Sequence, residues 1–194
     1  MTDKLRIAFE IDLIPHYRKT FYEKLCANHQ YEWCVYYGST NPEAGRPSLE
    51  GNFDFPNVPL VNRLVHFGSF RIRWQSGILQ KIFAYNPDIL IVTGISGILS
   101  NWILLLWAVF RKKKRIIWSC GWEAQALGTF ALRIKRTFLR IYLSMANEHL
   151  VYGTRAANYL SELGISPEKI TVCYNGIEID HLLRQEDEIR CEGQ

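Results

Sequence analysis

The run from Asn147 to Asp180, NEHLVYGTRAANYLSELGISPEKITVCYNGIEID, constrains the fold more than any other stretch of the chain. His149 to Tyr152 is a short apolar strand that passes through Gly153 and Thr154 into a helix. Thr154 is placed to cap that helix, and Ala157, Leu160 and Leu163 recur on one face at helical spacing. Gly164 is placed to end it in the left-handed conformation, which a residue without Cβ adopts at no steric cost. Ser166 and Pro167 then turn the chain into a second strand, Lys169 to Tyr174, which Asn175-Gly176 breaks. This is one strand–helix–strand unit of an α/β sheet with a hinge beyond it.

The same alternation runs back to the start. Leu5 to Ile11 is β-rich and stands where a doubly wound sheet puts a central strand. A helix is expected over about 19–28 with Phe21, Leu25 and Tyr22 inward, then a strand from Glu32 to Tyr37. Gly38 to Pro59 has loop composition, and a strand is expected around Leu64–Phe67. A helix over Ser76–Tyr85 stops at Asn86-Pro87, because the residue before proline avoids helical dihedrals. Asp88–Thr93 is a fully apolar strand, followed by a helix over Ser100–Lys114 and a buried strand at Ile116–Trp118. A long amphipathic helix over Ala126–Met145 is expected to bury Leu127, Phe130, Ala131, Ile134, Phe138, Ile141, Tyr142 and Met145, with Arg133, Arg136 and Arg140 on another face. The fold class is therefore α/β: a Rossmann-like, doubly wound, mostly parallel sheet with helices on both faces. Residues 1–175 form one domain; 176–194 are an acidic linker or the start of another.

Composition excludes several alternatives. With 48 % apolar and 22 % charged residues in 194, the chain can bury a core and is not disordered. Its five cysteines show no CxxC pairing, so neither a disulfide framework nor a metal site is expected. The start lacks a signal-peptide pattern, so a cytoplasmic location is expected. Charge is uneven: thirteen Lys/Arg face two acids between Arg63 and Arg140, leaving a net −7 for the remainder of the +4 chain. That basic middle calls for an anionic partner. The apolar run Trp102–Phe110 is nine residues, well below the roughly 18–20 that span a bilayer. It is either a core helix or, through Trp102, Trp107 and the cluster Arg111, Lys112, Lys113, Lys114 and Arg115, a contact with the inner membrane leaflet. Nucleic acid is disfavoured, since no recognition motif or stacking platform accompanies the charge.

The segments Asn147-Glu148, Leu163-Gly164-Ile165, Lys169-Ile170-Thr171-Val172 and Asn175-Gly176-Ile177-Glu178, in this order, resemble the close of the N-terminal domain in glycosyltransferases of the GT-B fold, family-4 type. The resemblance implies transfer of a sugar from a nucleotide sugar to a glycan or lipid-linked acceptor in surface polysaccharide or glycolipid synthesis. It also implies an interdomain hinge at Asn175 and Gly176, and a second, donor-binding domain beyond it. No cofactor is expected in this half; the nucleotide sugar is the donor substrate. The isolated chain is then expected to be inactive. The rival is a non-catalytic Rossmann-like module that docks on membrane or on a separate donor domain.

In an open parallel sheet the ligand crevice lies beyond the carboxyl ends of the strands. Arg18 after the first strand is placed to hold a phosphate or carboxylate through two parallel hydrogen bonds, or to pair with a surface acid. Tyr17 is its neighbour, and His16 is the candidate proton-transfer group of that loop. Gly94, Ser96 and Gly97 stand at a helix N-terminus, where backbone N–H groups attract anions or simply permit close packing. Cys120, Gly121 and Glu123 follow the strand at 116–118; Glu123 is placed to orient an acceptor hydroxyl or to pair with an arginine. Similar enzymes carry a histidine near this point, and Cys120 or its neighbours stand in its place. Thr154 completes the candidate set.

Overall fold

The computed structural model describes residues 4–39, 53–67, 70–120 and 129–174. The strands among them are β1 (Leu5–Ile11), β2 (Tyr31–Gly38), β3 (Asn57–Phe67), β4 (Phe70–Ser76), β5 (Ile89–Thr93), β6 (Lys114–Ser119), β7 (Glu148–Val151) and β8 (Ile170–Val172). The helices are α1 (Lys19–Cys26), α2 (Ile78–Tyr85), α3 (Leu99–Phe110), α4 (Thr129–Ser144) and α5 (Thr154–Glu162). The strands form one sheet in the order β4-β3-β2-β1-β5-β6-β7-β8. Every pairing is parallel except the β3–β4 hairpin, so this is the Rossmann-like α/β sheet the strand–helix alternation implies.

β1 lies at the centre because five successive residues, Ile7–Ile11, tolerate burial on both faces. Ala8, Leu90, Val92 and Ile117 meet Ile82 of α2, Leu104 and Leu105 of α3, Leu143 of α4 and Leu160 of α5. Phe9, Ile11, Val35 and Trp118 pack with Tyr22 of α1 on the opposite side. Among the described residues one helix thus serves one face and four serve the other. The end of α5 is a Schellman motif: Gly164, at φ 87°, donates to the Ser161 carbonyl (2.9 Å), and Ile165 donates to that of Leu160 (3.1 Å). The carbonyls left over at a helix end are satisfied, and Ile165 is carried into the core beside Leu160.

Several expectations are corrected by packing. Loop composition over Gly38–Pro59 gives way to strand from Asn57, because Asn57–Leu60 pair in register with Val35–Gly38. Beyond it, Phe70–Ser76 is a full strand that folds back on β3, where a single strand around Leu64–Phe67 was expected. In α1 Tyr22 is the fully buried side chain, while Phe21 is 41 % exposed. α3 ends at Phe110, four residues early; Lys112, at φ 53°, closes it and Lys114 already belongs to β6. α4 buries Leu139, Tyr142 and Leu143, whereas Ile134, Phe138 and Ile141 of the expected inward face are exposed. Gly153, not Thr154, is the N-cap of α5, with no side-chain cap hydrogen bond. The expected hinge at Asn175 and Gly176, the linker 176–194 and the position of Leu127 lie outside the described residues.

Candidate active site

The parallel order β1-β5-β6-β7 sets the loops after Ile11, Thr93, Ser119 and Val151 along one edge of the sheet. The chain leaving β1 forms a short 3-10 turn over His16–Arg18 and delivers the Arg18 side chain inward, 8 % exposed. Its guanidinium carbon lies 4.7 Å from the Trp118 ring centroid at the end of β6 and 5.0 Å from that of Tyr152 beyond β7. Tyr17 adds a third ring at 5.7 Å. Trp118 is itself fixed, stacked on Phe21 (5.5 Å) and edge-on to Phe9 (5.1 Å) and Tyr152 (5.4 Å). An arginine keeps its charge at any ordinary pH, so this is a permanent cation among electron-rich ring faces.

Next to those rings lies a cavity of about 160 Å³. Gly94, Trp118, Ser119, Cys120 and Tyr152 line its mouth, and Leu139, Leu143 and Leu160 line its depth. Gly94 is required by close approach: a Cβ there would sit 2.2 Å from the Ser119 Cβ. Its N–H donates to the Trp118 carbonyl (2.9 Å), so this amide is engaged within the fold and not offered to an anion.

Toward the other side of β1 the same edge is closed by the β3–β4 hairpin. The Arg73 N–H donates to the Gly97 carbonyl (2.9 Å), and its guanidinium pairs with Asp12. Asn62 donates to the Asp12 carbonyl (3.2 Å), and Gln75 to that of Ile11 (3.4 Å). The open part of the crevice is therefore the β5–β6–β7 part.

Beneath it is a buried polar knot that sequence reasoning missed. Glu10 of β1 is 0 % exposed. Its Oε2 accepts from the Thr93 N–H (2.9 Å), the Thr93 hydroxyl (2.9 Å) and Asn101 Nδ2 (2.8 Å), while Oε1 has no partner among the described residues. Tyr142 donates to the Thr93 carbonyl (2.8 Å) from α4. Burial pushes the Glu10 carboxyl up to about 7, and the bonds from Thr93 and Asn101 recover only part of that loss. The signal was a lone acid within the five-residue buried run Ile7–Ile11 of that strand. Trp118 and Tyr152 were equally legible as aromatic residues at strand ends.

The expected site residues separate into groups. Arg18, Tyr17, Gly94 and Cys120 meet around Trp118 and Tyr152; Cys120 is exposed. His16 is exposed and edge-on to Tyr17 (5.6 Å). Ser96 and Gly97 are turned to the fold: the Ser96 carbonyl accepts from the Trp102 indole (2.8 Å) and that of Gly97 from Arg73. Thr154 is exposed at the start of α5. Gly121 and Glu123 lie outside the described residues. The expected lipid-contact set is mostly engaged elsewhere. Trp107 stacks on Phe83 (4.9 Å), Lys113 pairs with Asp88 (3.6 Å) and Lys114 with Glu148 (3.0 Å). Arg115 donates to the carbonyls of Met145 and Lys113, both at 2.6 Å. Arg111 and Lys112 stay exposed. Among the described residues no three His, Cys, Asp or Glu gather as a metal set would, and no helix is long and apolar enough to cross a membrane.

A sheet of this order with its crevice on the β5–β6–β7 side is the N-terminal half of the GT-B architecture, and similar solved structures share it. Anabaena Alr3699/HepE, crystallised with UDP, superposes with a TM-score of 0.54 at 11 % identity, over 92 % of this chain and 45 % of that one. The lipopolysaccharide outer core galactosyltransferase WaaB gives 0.53 at 14 %, over 90 % and 47 %. A Listeria monocytogenes protein assigned as a UDP-N-acetylglucosamine 2-epimerase gives 0.54 at 17 %, over 87 % and 45 %. The chain thus spans less than half the length of each. No curated protein matches the sequence. The family described as Glycosyltransferase Family 4 matches residues 20–181, and the chain belongs to it.

Proposed function

We propose that this chain is the acceptor-side half of a glycosyltransferase. The full enzyme moves a sugar from a nucleotide sugar to a glycan or lipid-linked acceptor in surface polysaccharide or glycolipid synthesis. The observation that carries this is Arg18, brought from the β1 loop onto Trp118 and Tyr152 at the open mouth of the crevice. A cation held there recognises an acceptor phosphate or carboxylate bidentately. The neighbouring cavity takes a small apolar part of the same molecule. Tyr17 borders that position and Ile95 and Cys120 line the cavity beside it, with Gly121 and Thr154 as further acceptor contacts. His16 and Glu123 act as the orienting and proton-transfer groups at the acceptor hydroxyl. Asn175-Gly176 is the hinge to a donor-binding domain, which supplies the nucleotide site.

HepE, in the same fold, is known with UDP, which makes UDP-sugars the donors to test first. The experiment compares the 194-residue chain with a two-domain protein in which a family-4 donor domain follows Gly176. Each is given UDP-glucose, UDP-galactose or UDP-N-acetylglucosamine and a bacterial lipid-linked glycan extract. Transfer is expected from the two-domain protein alone. Transfer by the isolated chain, or two-domain transfer that Arg18→Ala leaves unchanged, overturns the assignment.

A further inference from the structure

Two oxygens in the buried knot below the crevice, Glu10 Oε1 and Asn101 Oδ1, have no donor among the described residues. Both side chains are fully buried, and they already touch: Asn101 Nδ2 donates to Glu10 Oε2 at 2.8 Å. A second acceptor for that nitrogen, the Thr93 hydroxyl at 3.4 Å, fixes which way the amide points. An ionised carboxylate only accepts, so it leaves both oxygens unsatisfied. One proton on Oε1 supplies the donor that Asn101 Oδ1 lacks. A carboxylic acid and a carboxamide each carry one donor and one acceptor on adjacent atoms, and so pair through two hydrogen bonds at once.

The knot spans the walls of the cavity. Glu10 Oε2 also accepts from the Thr93 N–H and hydroxyl, and the Thr93 carbonyl accepts from Tyr142. Thr93, Gly94 and Ile95 line one side of the 160 Å³ cavity. Leu139 and Leu143, which flank Tyr142 in α4, line another. Gly94 is bonded in turn to Trp118, on which Arg18 lies. One carboxyl oxygen thus joins β1 to β5 and α3, and Tyr142 adds α4.

The groups around Glu10 do not titrate in its place. Asp12, beyond the end of β1, is paired with Arg73 and opposes ionisation of Glu10 as a like charge. Tyr36 stands opposite in the register of β2, and Tyr22 of α1 and Tyr142 of α4 feel the charge of Glu10. Burial raises all three phenols above their ordinary 10, so they stay neutral. The side chains of Ser100, Asn101 and Gln75, from α3 and β4, carry no charge.

We infer that Glu10 is a positioning residue: with its proton it closes a two-bond ring with Asn101 that holds the β5 and α4 walls of the cavity together. When the proton leaves to solvent the ring opens, the two facing oxygens repel, and the contact of Thr93 with Tyr142 loosens. Burial places this change at about 7. The wall movement stands on the buried contacts alone, and its effect on acceptor binding rests on the acceptor-side reading above.

NMR of the 194-residue chain follows the Glu10 Cδ signal and the Leu139 and Leu143 methyl signals from pH 5 to 9. The carboxyl is expected to titrate at about 7, and the methyl signals to move with the same midpoint. Glu10→Gln offers Asn101 an N–H at every pH, so its methyl signals are expected to stay in place. In the two-domain protein, the parent's KM for the glycan acceptor should rise at least about fivefold from pH 6 to 8, the low end of coupling between linked sites. The KM for UDP-glucose should not follow, and Glu10→Gln should keep the acceptor KM level. Methyl signals that ignore the Glu10 titration, or a carboxyl that titrates near 4.5, overturn the inference. So does an acceptor KM that rises equally in Glu10→Gln. If that variant does not fold, the parent's titration decides alone. Methyl signals that follow Glu10 in a protein without transfer support the inference and refute the acceptor-side reading instead.

Discussion

Replacing Glu10 by Gln is expected to stabilise the protein at neutral pH. In the unfolded chain the Glu10 carboxyl ionises near its ordinary 4.5; in the fold it holds its proton until about 7. Between those values the unfolded state has lost a proton that the native state keeps, so stability falls as pH rises through the window. With roughly 1.4 kcal/mol per pH unit, the fold forfeits about 3 kcal/mol by pH 7. Gln keeps an oxygen for Thr93 and Asn101 and has nothing to ionise.

His149 works in the opposite direction. It is 1 % exposed, and burial lowers its imidazole from 6.5 to about 4. The unfolded state therefore binds the extra proton as pH falls from 6.5 to 4, and stability rises with pH over that range. In the parent the two slopes cancel between pH 4.5 and 6.5. Glu10→Gln removes one and exposes the other. Urea titrations from pH 4 to 8, followed by tryptophan fluorescence, measure this directly. The variant should gain stability from pH 4 to 6.5 while the parent stays nearly level. At pH 8 its Tm should exceed the parent's by about 6–12 °C for a domain of this size. A variant at or below the parent at pH 8 refutes the reasoning.

Gly94→Ala puts a methyl group 2.2 Å from the Ser119 Cβ, so backbone must move; a loss of about 1–3 kcal/mol by urea denaturation is expected. Lys112→Gly relieves a left-handed non-glycine residue at φ 53° and should raise stability by about 1 kcal/mol in the same assay. In the two-domain protein, Arg18→Lys should raise the acceptor KM and leave donor binding unchanged, since lysine cannot reproduce the planar fork. The loss in kcat/KM is expected to be about 10- to 150-fold, that of one charge-assisted hydrogen bond. Leu139→Ala opens the wall of the 160 Å³ cavity and should cost about 2–5 kcal/mol in thermal unfolding.

The parallel strands were legible because burial on both faces leaves a continuous apolar run, as in Ile89–Thr93, and because glycine and proline punctuate the ends. The Schellman close at Gly164 was legible for the same local reason. The β3–β4 hairpin was not. Asn57 and Pro59 carry loop chemistry, and only the register with Tyr31–Gly38 makes them strand. Nor was the inward face of α4, since Ile134–Phe138–Ile141 and Leu139–Tyr142–Leu143 both repeat at helical spacing and only packing selects the second. Of the site, Arg18 could be picked out by its place after the first strand. Its partners Trp118 and Tyr152 lie about 100 and 134 residues further on, and no local pattern joins them.

The position of β1 has a consequence for how the chain is made. Its ladder to β2 is complete once Gly38 has left the ribosome, but its other neighbour is β5. The groups that satisfy Glu10 arrive later still, with Thr93 and Asn101. At a synthesis rate of about 5–20 residues per second, the 63 residues from Gly38 to Asn101 take about 3–12 seconds. Through that interval the edge of β1 is an open template and Glu10 is a hydrated anion. The anion itself guards the edge, because a like charge opposite it disfavours pairing with β1 of another nascent copy. When β5 and α3 close over the strand, burial raises the Glu10 carboxyl to about 7 and so favours its neutral form, and the guard weakens as the edge it protects is covered.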